Sequence, residues 1–130
     1  MYKARTRNID VSVEAFYFED QSDPEKERWV FGYRVTIENR GGEPVQLLSR
    51  HWRITDARGR LIEVRGEGVV GEQPRLEPGE SFQYTSGTPL STPSGFMVGS
   101  YQMVTDGGRR FDVRIPAFSL DAPDPARAVH

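Results

Sequence analysis

Apolar and polar residues alternate with a period of two in the first part of this chain. Ile9, Val11, Val13, Ala15 and Tyr17 are interleaved with Asp10, Ser12 and Glu14, and across residues 28–39 Trp29, Phe31, Tyr33, Val35 and Ile37 fall on one side while Arg34, Thr36 and Glu38 fall on the other. Successive side chains of a strand point to opposite faces, so this period puts one face of each segment in a core and leaves the other in water. Asn39-Arg40-Gly41-Gly42 then turns the chain, because asparagine and glycine tolerate the positive φ of tight turns. Further strands are expected at residues 45–55, 60–65, 81–86, 96–104 and 109–115, divided by Asp56-Ala57-Arg58-Gly59 and Asp106-Gly107-Gly108. The 13 glycines and 9 prolines interrupt every run at helical spacing. These features predict an all-β domain: a two-sheet sandwich of about seven antiparallel strands, since one sheet alone would leave a face of the aromatic strands in water. Trp52 is expected at the centre of the core, with Leu48 and Ile54 on its side of the strand.

The length of 130 residues fits one domain. The expected division is a sandwich over residues 1–120 and a flexible tail over 121–130, where Asp, Pro and Ala predominate. Lys and Arg number 17 against 19 Asp and Glu, so there is no basic field for non-specific nucleic-acid binding. The absence of cysteine excludes disulfides, zinc-thiolate sites and thiol catalysis. The first residues lack the apolar stretch of a signal peptide and no segment approaches the roughly 18 apolar residues of a membrane span. The cytoplasm is the expected location, with no membrane partner.

Gly66, Gly68 and Gly71 satisfy G-x-G-x-x-G, the pattern that brings backbone amides to a pyrophosphate at a helix start. Pro74 and Pro78 follow too closely for that helix to form, so a Rossmann domain is not expected. Two readings remain. In one the glycines supply turn geometry and Val69-Val70 caps the sandwich end. In the other the loop amides form a nest for a phosphate-containing small molecule, with Arg65 and Arg75 beside it and Arg50, His51 and Arg53 on a neighbouring strand. Glu67 and Glu72 weigh against the second. Downstream, Leu76-x-Pro78-Gly79-x-x-Phe82 resembles the E–F corner of fibronectin type III domains. Phe82 carries no hydroxyl to bond back to the loop, so packing is expected to hold the corner.

Catalytic constellations are sparse. His51 is the only histidine before the terminal His130, which leaves a His-based metal site without a second ligand. Alternation with Trp52 sends His51 and Arg53 outward. Ser49 and Ser86 are candidate nucleophiles with His51 as base and Asp56 as its orienter, but no G-x-S-x-G elbow or oxyanion hole accompanies them. No catalytic residue, metal site or cofactor is therefore assigned. The acidic loop 19–27 lacks the spacing of an EF-hand. On the 96–104 strand Met97, Tyr101 and Met103 share one side and Phe96, Val98 and Val104 the other, so an exposed set would invite a protein partner.

Several motifs in order resemble the bacterial ApaG family over residues 17–120: Ser49-Arg50-His51-Trp52-Arg53-Ile54-Thr55-Asp56, Gly66-Glu67-Gly68-Val69-Val70-Gly71-Glu72-Gln73-Pro74 with Pro78-Gly79-Glu80, Tyr84-Thr85-Ser86-Gly87, Gly95-Phe96-Met97 and Gly99-Ser100-Tyr101-Gln102-Met103. The resemblance implies a fibronectin III-like or immunoglobulin-like sandwich, similar to a domain at the end of some F-box proteins, and a link to cobalt tolerance and magnesium efflux. The resulting expectation is a non-catalytic ligand- or protein-binding module with an unidentified protein partner. The alternative is a nucleotide- or pyrophosphate-binding, weakly hydrolytic protein using the 66–71 loop. Open sheet edges also permit a homodimer.

Overall fold

The computed structural model describes residues 1–123. In chain order the strands are β1 (Tyr2–Thr6), β2 (Ile9–Tyr17), β3 (Trp29–Asn39), β4 (Val45–Asp56), β5 (Leu61–Glu67), β6 (Arg75–Leu76), β7 (Ser81–Leu90), β8 (Ser94–Thr105) and β9 (Arg110–Asp121). They form two antiparallel sheets, one ordered β1-β2-β3-β7 and the other β5-β4-β8-β9, with β6 on the same edge of β4 as β5. The expected sandwich is present with two strands more than the alternation indicated. β1 has no apolar alternation and is held by pairing with β2 across the Arg7-Asn8 turn, both residues at positive φ.

The core lies between the sheets. Ile9, Val11, Val13, Phe31, Val35 and Ile37 are buried with Leu47, Trp52, Ile54, Met97, Tyr101, Met103, Val113 and Ile115. Trp52 meets Tyr33 at 5.3 Å and Phe118 at 5.9 Å between ring centroids, both edge-on, an arrangement that adds about 0.5–1.5 kcal/mol per pair beyond burial. Leu48 does not share the side of Trp52. A bulge between Leu47 and Ser49 shifts the register against β8, so Leu47 takes the buried place and Leu48 is half-buried. One extra residue reverses the facing of everything before it. A second irregularity sets Gly99 opposite Ile115 but Met97 opposite Phe118, and carries β9 through Pro116 to Asp121.

Asp121 ends β9 and the Ala122 N–H donates to the Pro93 carbonyl at 2.8 Å; the remainder of the expected tail, residues 124–130, lies outside the described residues. The Leu76–Phe82 corner is held by more than packing. Asn39, buried at the end of β3, donates from Nδ2 to the carbonyls of Leu76 (3.0 Å) and Glu43 (2.9 Å), and its backbone carbonyl accepts the Gly79 N–H at 2.7 Å. An asparagine thus supplies hydrogen bonds that Phe82 cannot. On one side β1 leans on β9 through Tyr2 Oη to Ser119 Oγ (3.0 Å) and the Arg114 N–H to Thr6 Oγ1 (3.1 Å). On the other side β5 and β7 are both edge strands.

Candidate functional site

Past the bulge, β4 turns Ser49, His51, Arg53 and Thr55 to the outer face of the five-stranded sheet. The register places Leu61 of β5 and Phe96 of β8 on either side of Thr55. They form a row across three strands, with Leu61 54% and Phe96 49% exposed. Beside the row, Glu63 gathers three basic side chains: its carboxylate is 3.6 Å from His51 Nε2, 4.0 Å from Arg53 Nε and 3.7 Å from Arg65 Nη2. The exposed arginine pairs add little stability, but the group defines a polar border. His51 Nε2 is buried without a hydrogen-bond partner among the described residues, the Glu63 oxygen being beyond hydrogen-bond reach.

The glycine loop is a hairpin. The Val69 N–H donates to the Glu72 carbonyl at 2.8 Å and the Glu72 N–H returns to Val69 at 2.9 Å, while Val70 and Gly71 have φ of +44° and +82°. This is a two-residue type I′ turn. Gly68 has φ +63°, and a Cβ there would lie 2.3 Å from the Glu72 carbonyl oxygen. Its N–H donates to the Leu48 carbonyl at 2.8 Å, which also receives Gln73 Nε2 at 2.9 Å. The amides of Gly68, Val69 and Glu72 therefore all meet backbone acceptors. Val69 plugs the core and Val70 stands exposed at the tip.

Arg50 points inward, opposite to its neighbour His51. Its Nη1 donates to the carbonyls of Glu67 (3.0 Å) and Gly68 (2.8 Å), and a Cβ on Gly66 would come within 2.8 Å of the guanidinium. Gly66 is the seat of Arg50. Arg75 is drawn away to Asp106, 2.6 Å from Nη2, and to Glu77, and these two carboxylates hold the guanidinium above the usual arginine range. The eight residues singled out in the sequence thus fall into separate groups. His51, Arg53 and Arg65 meet around Glu63; Arg50, Gly66 and Gly68 form the loop base; Gly71 is at the tip; Arg75 joins β6 to the β8–β9 loop.

Ser49 donates to Gln102 Oε1 at 2.9 Å, and Asp56, on the inward side of β4, accepts the N–H groups of Arg58 and Arg60 at 2.9 Å. Asp56 is therefore turned away from His51, and Ser86 belongs to the other sheet. In the interior the Tyr84 and Tyr101 hydroxyls bond to each other, and burial pushes both phenols, and that of Tyr33, above the ordinary range. The acidic loop forms two single 3₁₀ turns, Glu19–Gln21 and Pro24–Lys26, with Lys26 4.0 Å from Asp23. Among the described residues no three His, Cys, Asp or Glu side chains gather to hold a metal, and no helix is long and apolar enough to cross a membrane.

Strands, facing and register define an antiparallel two-sheet sandwich carrying an exposed apolar row and a closed glycine hairpin. The family model described as the ApaG domain matches residues 19–105. A Protein ApaG from Brucella anthropi is 64% identical over 130 residues, covering 100% of both chains, and one from Rhodospirillum centenum is 65% identical over 123 residues, covering 95% of each. The crystal structure of an ApaA protein from Bordetella pertussis superposes with a TM-score of 0.86 at 52% identity, covering 88% of this chain and 94% of that one. The chain belongs to the ApaG family. The C-terminal domain of Wzt, at 9% identity and a TM-score of 0.55 over 95% of this chain and 78% of that one, shares the fold alone.

Proposed function

We propose that this ApaG-family chain is a non-catalytic recognition module of the cytoplasm, and that it docks a protein partner on the outer face of β5, β4 and β8. The observation that carries the reading is the Leu61–Thr55–Phe96 row with both apolar ends exposed. An apolar centre with a polar rim is the anatomy of a protein interface, and here Glu63, Arg53, His51 and Arg65 form the rim. β5 adds an unpaired strand edge on which an extended peptide can continue the sheet. The separation of Ser49 and His51 from Asp56 supports a binding role over hydrolysis. The link to cobalt and magnesium that the family resemblance implies is read as acting through such a partner.

Immobilised wild-type protein and a Leu61→Asp/Phe96→Asp variant are compared for proteins captured from bacterial lysate, with Val70→Asn as a loop control. Specific proteins retained by wild type and Val70→Asn but lost from the double variant support the reading. An identical set on all three proteins removes it. Sedimentation of wild type against the double variant tells whether a second copy occupies the row.

A further inference from the structure

At the end of the sandwich that carries the β1–β2 turn, the β3–β4 loop and the β8–β9 loop, a cleft of about 320 Å³ opens between the three. Its wall is rich in donors that the fold does not use. Arg7 and Arg109 line it, and neither has a carboxylate within 4.0 Å among the described residues. The Arg7 guanidinium rests 5.8 Å above the centre of the Phe111 ring, which restrains the side chain and leaves its N–H groups unspent. The N–H groups of Gly42 and Glu43 have no acceptor among the described residues. Thr105 is buried; its Oγ1 accepts the Arg109 N–H at 3.1 Å, and its own O–H has no acceptor among those residues. Glycine at position 42 is required by neither packing nor conformation, since a Cβ would meet nothing within 4 Å among the described residues and φ is not positive. What the absent side chain does provide is open access to the backbone.

The walls are tied together before any ligand arrives. The Arg40 N–H donates to the Asn8 carbonyl at 2.8 Å, joining the first two loops, and Asn39 fixes the base of the second through the Gly41 N–H and the Glu43 carbonyl. A pre-set site spends little affinity on ordering. Two guanidinium forks, two amides and a hydroxyl offer more donors than the two oxygens of a carboxylate can accept, and they suit the several oxygens of a phosphoryl group. The Glu43 carboxylate, which also lines the cleft and has no cation within 4.0 Å among the described residues, opposes such a ligand. We propose that this cleft binds the phosphoryl group of a small molecule, at a place separate from both the glycine hairpin and the Leu61–Phe96 row.

The test is an amide NMR titration of the full chain with inorganic phosphate and pyrophosphate, and with malonate at matched ionic strength. Saturable shifts are expected at Asn8, Gly42, Glu43 and Arg109. Arg7→Met and Arg109→Met together weaken binding by about tenfold or more, in keeping with charge-assisted bonds, and Glu43→Gln, which removes the opposing charge without disturbing the loop ties, tightens it. No saturable shift, shifts centred on the 66–71 hairpin, an equal response to malonate, or an affinity unmoved by Glu43→Gln would each overturn the proposal.

Discussion

Replacing Asn39 with alanine tests whether hydrogen bonds or packing hold the Leu76–Phe82 corner against the end of β3. Asn39 is only 1% exposed, and its side chain serves three backbone groups: the carbonyls of Leu76 and Glu43 and the N–H of Gly41. The Leu76 carbonyl is buried, so loss of its donor costs about 1–3 kcal/mol. The other two groups are partly buried and regain water, adding about 1 kcal/mol between them. The expected destabilisation is about 2–4 kcal/mol, a large share of a typical domain stability of about 5–15 kcal/mol. Asn39→Asp is the sharper probe, because at neutral pH it sets a carboxylate against two carbonyl oxygens. It is expected to be less stable than Asn39→Ala. Such a carboxyl has a raised folded-state pKa, so its deficit is present above that pKa and closes as pH falls toward the ordinary aspartate value of about 3.9. Urea unfolding followed by tryptophan fluorescence, with an unchanged slope against denaturant, measures both variants. A loss below about 1 kcal/mol for Asn39→Ala, or equal stability of the two variants at pH 7, would show that packing alone carries the corner.

Val70→Asn relieves a β-branched residue held at φ +44° and gives the hairpin the Asn-Gly pair that a type I′ turn favours; a gain of about 1 kcal/mol in the same assay is expected, and no gain would mean that the turn is unstrained. Gly99→Ala puts a Cβ 2.5 Å from the His51 carbonyl oxygen and 2.9 Å from the Trp52 ring, which forces β4 and β8 apart and costs about 2–3 kcal/mol, whereas Gly107→Ala, with no neighbour closer than 3.8 Å, is close to neutral; similar losses at both sites would refute the close-contact argument. Stability is expected to fall at both ends of the pH scale. Hydrogen bonds from the Arg60 N–H to Asp56 and from Arg5 to Asp10 lower those carboxyls, so their contribution is present above about pH 4 and lost as pH falls through the lowered values. Burial raises Tyr84 and Tyr101, so stability is lost as pH rises past the unfolded value of about 10, and Tyr84→Phe/Tyr101→Phe flattens the alkaline limb in unfolding scans; an unchanged limb would assign it to other groups.

The sheets were legible where residues alternate, and the departures each have a local cause. Trp52, Met97, Tyr101 and Met103 fell on the buried side as their parity required, and Phe96 on the exposed side. Leu48 failed because parity counts residues and cannot see a bulge. Pro116 reads as a strand end and hides the second half of β9; the register irregularity beside it accommodates the missing donor. β7 was likewise stopped at Gly87, although an edge strand tolerates Pro89. β1 offered no pattern at all, since its place depends on pairing with β2 rather than on burying a face. At the candidate sites, Phe96 was marked by its parity, whereas Leu61 acquired meaning only from the register that sets it across Thr55. Arg7 and Arg109 lie far apart in sequence, so no spacing joins them, and only the convergence of three loops makes a cleft.

The glycine pattern has a structural account at every position. Each glycine of 66, 68 and 71 answers a separate steric demand: room for the Arg50 guanidinium, a close approach to the Glu72 carbonyl, and the second position of a type I′ turn. The bulge at Leu48 completes the device by aiming a freed carbonyl at the Gly68 N–H and at Gln73. Arg50 then closes the base from inside, bonding the carbonyls of Glu67 and Gly68. With those donors engaged, the hairpin draws the chain from β5 back to β6 along the same edge of β4, and so sets Leu76 where Asn39 can hold it. Asn39 in turn anchors the β3–β4 loop that walls the Arg7–Arg109 cleft. The residues that most resemble a binding motif therefore act on that cleft through the backbone they position, so loss of Arg50 is expected to disturb the cleft amides in an NMR spectrum although Arg50 does not line it.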